Sequence, residues 1–83
     1  MKNKKHYIYI VRCNDESLYT GYTTDLERRL KEHNHGKEGA KYTRAHRPVK
    51  LVYSEKFKTS SAAKIREAEI KKLTRQEKLK IIG

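Results

Sequence analysis

The sequence predicts a small α+β domain of two layers, with a three-stranded, mainly antiparallel sheet, flanking helices and the element order ββαβαα. Three observations carry this expectation. Residues 7–12 read Tyr-Ile-Tyr-Ile-Val-Arg, a β-branched and aromatic run of the kind that forms strands. The turn residues Asn14-Asp15-Glu16-Ser17 separate it from a second such run. That link is far too short for a parallel crossover, so the first two strands form a hairpin rather than the start of a doubly wound sheet. Finally, 83 residues of which 35% are apolar and 37% charged allow one domain, residues 1–83, with a modest core.

The second strand runs from Leu18 to Tyr22. Thr24-x-x-Glu27 has the pattern of a capping box and starts a helix at about Asp25. Asn34-His35-Gly36 stops it. Residues 36–46 are a basic connection with one helical turn expected near 40–45. Pro48 opens a third strand, Val49 to Phe57, with Val-x-Leu-Val-Tyr at its head. Thr59 or Ser60 caps a second helix reaching about Leu73, and Thr74 or Arg75 begins a short last helix, Gln76 to Ile82. The helices are expected against one face of the sheet. Internal repeats, linkers and low-complexity tracts are absent from the sequence.

Charge is the strongest compositional fact. Twenty-one Lys and Arg against ten Asp and Glu give a net charge of +11. Such an excess favours a phosphate-bearing partner, because Lys and Arg bind nucleic-acid backbones with release of counterions. No apolar run approaches the roughly 20 residues that span a bilayer, and Met1 to His6 leads into no signal-peptide core. No membrane partner is expected. Cys13 is alone, which rules out an intramolecular disulfide and suits a reducing compartment. The expected address is cytoplasmic. Zinc is disfavoured, since Cys13, His33, His35 and His46 lack a paired-ligand spacing.

On the first helix, at about 100° per residue, Leu26, Arg29, Leu30 and His33 share one arc of roughly 100°. Glu27, Arg28, Lys31 and Glu32 lie on the other side. Arg29, not Arg28, therefore leans toward the sheet, with His33 one turn away. A charge on that arc needs a partner or a task, unless Arg29 snorkels from the edge and His33 merely ends the helix. There are six tyrosines, against one Phe and no Trp, and Tyr7 and Tyr9 share one strand face. Each alone reads equally as an amphipathic wall residue. Lys41, Arg44 and Arg47 surround Tyr42 and Thr43, an interleaving that suits a surface tracking a nucleic-acid backbone. On the second helix, Glu67 and Glu69 flank opposite edges of the apolar arc, and the wheel does not choose between them; both also serve as surface partners for Lys71, Lys72 or Arg66.

Tyr7-Ile8-Tyr9, then nine intervening residues, then Tyr19-Thr20-Gly21 resembles the paired motif that names the GIY-YIG nuclease superfamily. The helix Asp25-Leu26-Glu27-Arg28-Arg29-Leu30-x-x-His33 is similar to the helix that follows it there. Gly39-Ala40-Lys41-Tyr42-Thr43-Arg44, Arg47-Pro48-Val49, Leu51-Val52-Tyr53 and Arg66-Glu67-x-x-Ile70-Lys71 resemble the small stand-alone bacterial proteins of that superfamily. The resemblance spans nearly the whole chain. It implies that Tyr9 and Tyr19 are the motif tyrosines, Arg29 the helix arginine, His33 its neighbouring His or Tyr, and Glu67 the metal ligand. The implied reaction is hydrolysis of a phosphodiester in DNA rather than RNA, with one Mg2+ or Mn2+, by an endonuclease or exonuclease of DNA repair or recombination. The competing expectation is a nucleic-acid-binding module on the same fold without useful activity. A ribosomal or RNA-binding accessory role rests on composition alone. Three departures stand out: Tyr7 occupies the place of the motif's first glycine, Tyr22 that of a lysine in the excision-repair nucleases, and no asparagine follows the second helix.

Overall fold

The computed structural model describes residues 5–35, 43 and 45–83. Its elements are β1 (His6–Arg12), β2 (Leu18–Thr23), α1 (Leu26–His35), β3 (Lys50–Phe57), α2 (Ser60–Lys71) and α3 (Arg75–Ile82). The strands form one antiparallel sheet in the order β2-β1-β3. The predicted class and the order ββαβαα therefore hold. In the hairpin, Tyr9 pairs with Gly21 and Val11 with Tyr19. The turn is closed by Cys13 N–H donating to Ser17 O at 2.8 Å, with Glu16 at a φ of 73°.

The layering differs from expectation. β1 is paired on both edges, and four consecutive residues, Ile8 to Val11, are buried. Ile8 and Ile10 pack with Ala63 and Ile70 of α2, and with Ile81 and Ile82 of α3. Tyr9 and Val11 pack the other way, with Leu26 and Leu30 of α1. Helices thus cover both faces, and the domain has three layers rather than two. The physical reason lies in the Tyr-Ile-Tyr-Ile alternation. Both residue types are large enough to close a face, so neither face of the central strand is left to water. A bulge in β3 sharpens the division. Ile10 pairs with Tyr53 and Val11 with Leu51, which leaves Val52 as the extra residue.

The helix ends are set by short polar contacts. Asp25 Oδ1 accepts from Arg28 N–H at 3.1 Å, so Asp25 caps α1 and the Thr24 capping box is not the one used. At the other end Asn34 accepts from Val49 N–H at 2.7 Å and donates to Val49 O at 3.1 Å, fastening the helix to the approach of β3. Thr59 caps α2 by accepting from Ala62 N–H at 3.1 Å, and α2 stops at Lys71, short of Leu73. Thr74 and Glu77 form a complete capping box on α3. The helical turn expected near 40–45 lies largely outside the described residues, as do Lys41 and Arg44. No described helix is long and apolar enough to cross a membrane.

Candidate active site

The site is built on the α1 face of the sheet. Tyr9 projects from the middle of β1, and its ring lies over Gly21 of β2. A Cβ at Gly21 would stand 2.5 Å from the ring carbon Cζ, so any side chain there would have to displace the Tyr9 ring. A glycine within a strand that marks a close approach has its reason here. The Tyr9 hydroxyl lies 2.7 Å from His33 Nε2 and accepts from Arg29 Nε at 3.4 Å. His33 and Arg29 come from α1 one turn apart, on the predicted inward arc. The Tyr19 ring meets the His33 ring edge to face, with centroids 5.6 Å apart. Tyr9, Tyr19, Arg29 and His33, far apart in sequence, therefore meet in one cluster. Tyr9, Arg29 and His33 line a shallow open pocket with Val11, Leu30 and Leu51.

His33 is fully buried and has a polar neighbour on each ring nitrogen. The second, Thr43 Oγ1, lies 2.6 Å from Nδ1 and is itself fully buried. Burial above all, then the positive charge of Arg29, lowers the imidazole pKa from 6.5 to about 4, so the ring is neutral at physiological pH. Burial likewise raises the Tyr9 phenol above its ordinary value of 10.0. The hydrogen bond and charge of Arg29 oppose that rise, while Tyr19 and Glu67 add to it. Arg29 also pairs with Glu32 at 3.0 Å. This contact holds the guanidinium beside the pocket.

Glu67 sits on α2, across the sheet from α1. Its side chain is one-fifth exposed (20%) and pairs with Lys71 Nζ at 3.1 Å. Its charge nonetheless reaches Tyr9. Among the described residues no three His, Cys, Asp or Glu side chains gather as a metal cluster. Glu67 is the carboxylate whose charge acts on Tyr9, while Glu32 acts on Arg29 and His33. Arg47 turns inward: Nε donates to His33 O and Nη2 to Glu32 O at 3.1 Å, so part of its guanidinium closes the C-terminus of α1.

Periodicity located Arg29 and His33 but passed over Thr43, which meets its partner across a connection and not along a repeat. In the sequence Thr43 stands out only as part of the basic stretch and of the resemblance over residues 39–44, with no role of its own. Gly21 carried a usable signal, since glycine inside a β-branched run marks either a bulge or a close neighbour.

The family model described as the GIY-YIG catalytic domain matches residues 5–80. The chain belongs to the GIY-YIG family. That family is a nuclease superfamily, and all five positions discussed above, Tyr9, Tyr19, Arg29, His33 and Glu67, fall within the match. A UPF0213 protein of Haloquadratum walsbyi is 66% identical over 76 residues, spanning 92% of this chain and 84% of its own. One from Staphylococcus saprophyticus is 62% identical over 79 residues, spanning 95% of each chain. The solution NMR structure of a UPF0213 protein from Bacillus halodurans matches with a TM-score of 0.61 at 45% identity, over 94% of this chain and 82% of that one. This GIY-YIG chain is thus similar in length as well as in sequence to small relatives.

Proposed function

We propose that the protein hydrolyses phosphodiester bonds in DNA, with one divalent ion, Mg2+ or Mn2+, held at Glu67. The observation that carries this reading is the convergence of Tyr9, His33 and Arg29 on one phenol oxygen at the wall of an open pocket. Net water is added across a P–O bond: the water oxygen bonds phosphorus, the bond to the leaving sugar oxygen breaks, and that oxygen ends protonated. Arg29 presents a planar set of donors to the charge that builds on the phosphoryl oxygens. Tyr9 orients the attacking water and takes its proton while its own phenol proton passes to His33 Nε2. Tyr19 backs the imidazole, and His33 holds the Tyr9 hydroxyl.

The residues present fit a hard cation. Glu67 offers carboxylate oxygen on a partly exposed helix position, and such ions complete their shells with water and substrate phosphate. When bound, the ion supplies positive charge against the phosphate and the leaving oxygen. Loss of the Glu67 charge also removes one influence that raises the Tyr9 phenol. Lys41, Arg44 and Arg47 are assigned to the nucleic-acid backbone, with weak sequence preference and strong salt dependence. A role in DNA repair or recombination in the cytoplasm is the setting this chemistry suits.

Supercoiled plasmid incubated with Mn2+ or Mg2+ tests the reading. Cleavage is expected, abolished by EDTA and by Arg29→Ala and Glu67→Ala, with binding retained in both variants. A second reading, a binding module without useful activity, is favoured by one observation. The Lys71 ammonium already neutralises Glu67 at 3.1 Å. Salt-sensitive binding with no cutting under any divalent ion would establish it and overturn the first.

A further inference from the structure

We propose that Thr43 is a positioning residue: its hydroxyl oxygen accepts the Nδ1–H of His33, which leaves Nε2 bare to hold the phenol proton of Tyr9. The direction of each bond follows from counting donors. Among the described residues, the polar neighbours of the Tyr9 hydroxyl are His33 Nε2 at 2.7 Å and Arg29 Nε at 3.4 Å. Arginine has no acceptor, so among the described residues the Nε2 lone pair is the group that can take the Tyr9 O–H. Tyr9 is 2% exposed, and burying its hydroxyl proton without an acceptor would be costly. A neutral imidazole carries one proton. With Nε2 accepting, that proton sits on Nδ1 and points at Thr43 Oγ1, 2.6 Å away. Arg29, Glu32 and Arg47 are the charged groups that act on the ring, and Tyr19 covers it from the sheet.

The row Arg29, Tyr9, His33, Thr43 therefore runs in one direction, each group donating to the next. Its effect on the site is to turn the Tyr9 proton inward, so that oxygen lone pairs and not a hydrogen face the pocket. In that orientation a lone pair can take a proton from water as the phenol proton passes on to Nε2. Thr43 does this without touching the pocket, in the way that a third group fixes the imidazole of a catalytic triad. The catalytic consequence rests on the nuclease reading above; the proton arrangement does not.

Long-range 15N–1H correlation spectra of the histidine-labelled full chain read the tautomer directly. Wild type is expected to show His33 protonated at Nδ1. Thr43→Val removes the acceptor at nearly constant volume and should move the ring toward the Nε2–H form. It should also lower kcat for DNA cleavage by about 10- to 100-fold with little change in KM, the scale seen when a group supporting a site residue is lost. Thr43→Ser should restore both. Protonation of His33 at Nε2 in wild type overturns the proposal, as does an unchanged tautomer in Thr43→Val or a failure of Thr43→Ser to restore it. If Thr43→Val does not fold, the wild-type and Thr43→Ser spectra decide. If wild type does not cut DNA, the nuclease reading fails while the tautomer is still read.

Discussion

The two faces of β1 hold residues of nearly equal burial and very different chemistry. Ile8 and Ile10 meet Ala63 and Ile70 in contacts that are wholly apolar. One residue away, Tyr9 is as buried, yet its hydroxyl sits among an imidazole and a guanidinium. The first face draws its stability from area removed from water. The second spends part of that gain on burying polar groups, each of which must then find a partner. Alternation along a single strand lets a chain of 83 residues carry a core and a site back to back. The difference teaches that stability and chemistry are separable here by odd and even position, and substitutions on each face test this.

Arg29→Ala is expected to have the largest effect. Loss of a donor set aimed at developing charge should lower kcat/KM on DNA by about 100- to 1,000-fold, with a small change in melting temperature. Arg29→Lys should recover little, because an ammonium lacks the planar fork. An unaltered cleavage rate would break the assignment of chemistry to this face.

The next effect concerns pH. His33 has a folded pKa of about 4 against an ordinary value of 6.5, so between those values the unfolded chain binds more protons than the folded one. Stability from the neutral ring is complete above 6.5 and is lost as pH falls toward 4. The loss amounts to about 3 kcal/mol. Urea unfolding at several pH values should show this fall in wild type and a shallower one in His33→Gln. Parallel curves for the two would overturn it.

Gly21→Ala should cost about 1–3 kcal/mol, the usual range for overpacking, and should lower activity as well, since the added methyl displaces the Tyr9 ring. Chemical denaturation and plasmid cutting measure the two together. The smallest effect belongs to Ile10→Val. It should cost about 0.5–1.5 kcal/mol and leave kcat at saturating DNA unchanged. A fall in kcat without unfolding would show that the two faces are coupled.

How far the sequence revealed this arrangement depended on the range of the contacts. The strands were legible because β-branched and aromatic residues cluster between turn residues, and the caps Thr59 and Thr74 because they act within a few positions. Arg29 was legible from helical geometry. The third layer was not, because tyrosine at every second position reads equally as a wetted face or a packed one. The capping-box pattern pointed to Thr24, one residue before Asp25, whose carboxylate makes the capping contact instead. Thr43 and Arg47 act on α1 from beyond its end, through contacts for which no periodic signal exists. Glu67 was named through family resemblance. The structure adds that its charge is felt at Tyr9, while its role as a ligand is a proposal.

The central strand has a further consequence, in the time domain. β1 is hydrogen-bonded along both edges and covered on both faces, so its amides have no local route to solvent. Exchange of the Ile8 to Val11 protons should then require global unfolding, which places Tyr9 in the slowest-opening unit of the molecule. The helix termini and hairpin turn can breathe without disturbing it. A site anchored there keeps its geometry for as long as the chain is folded at all.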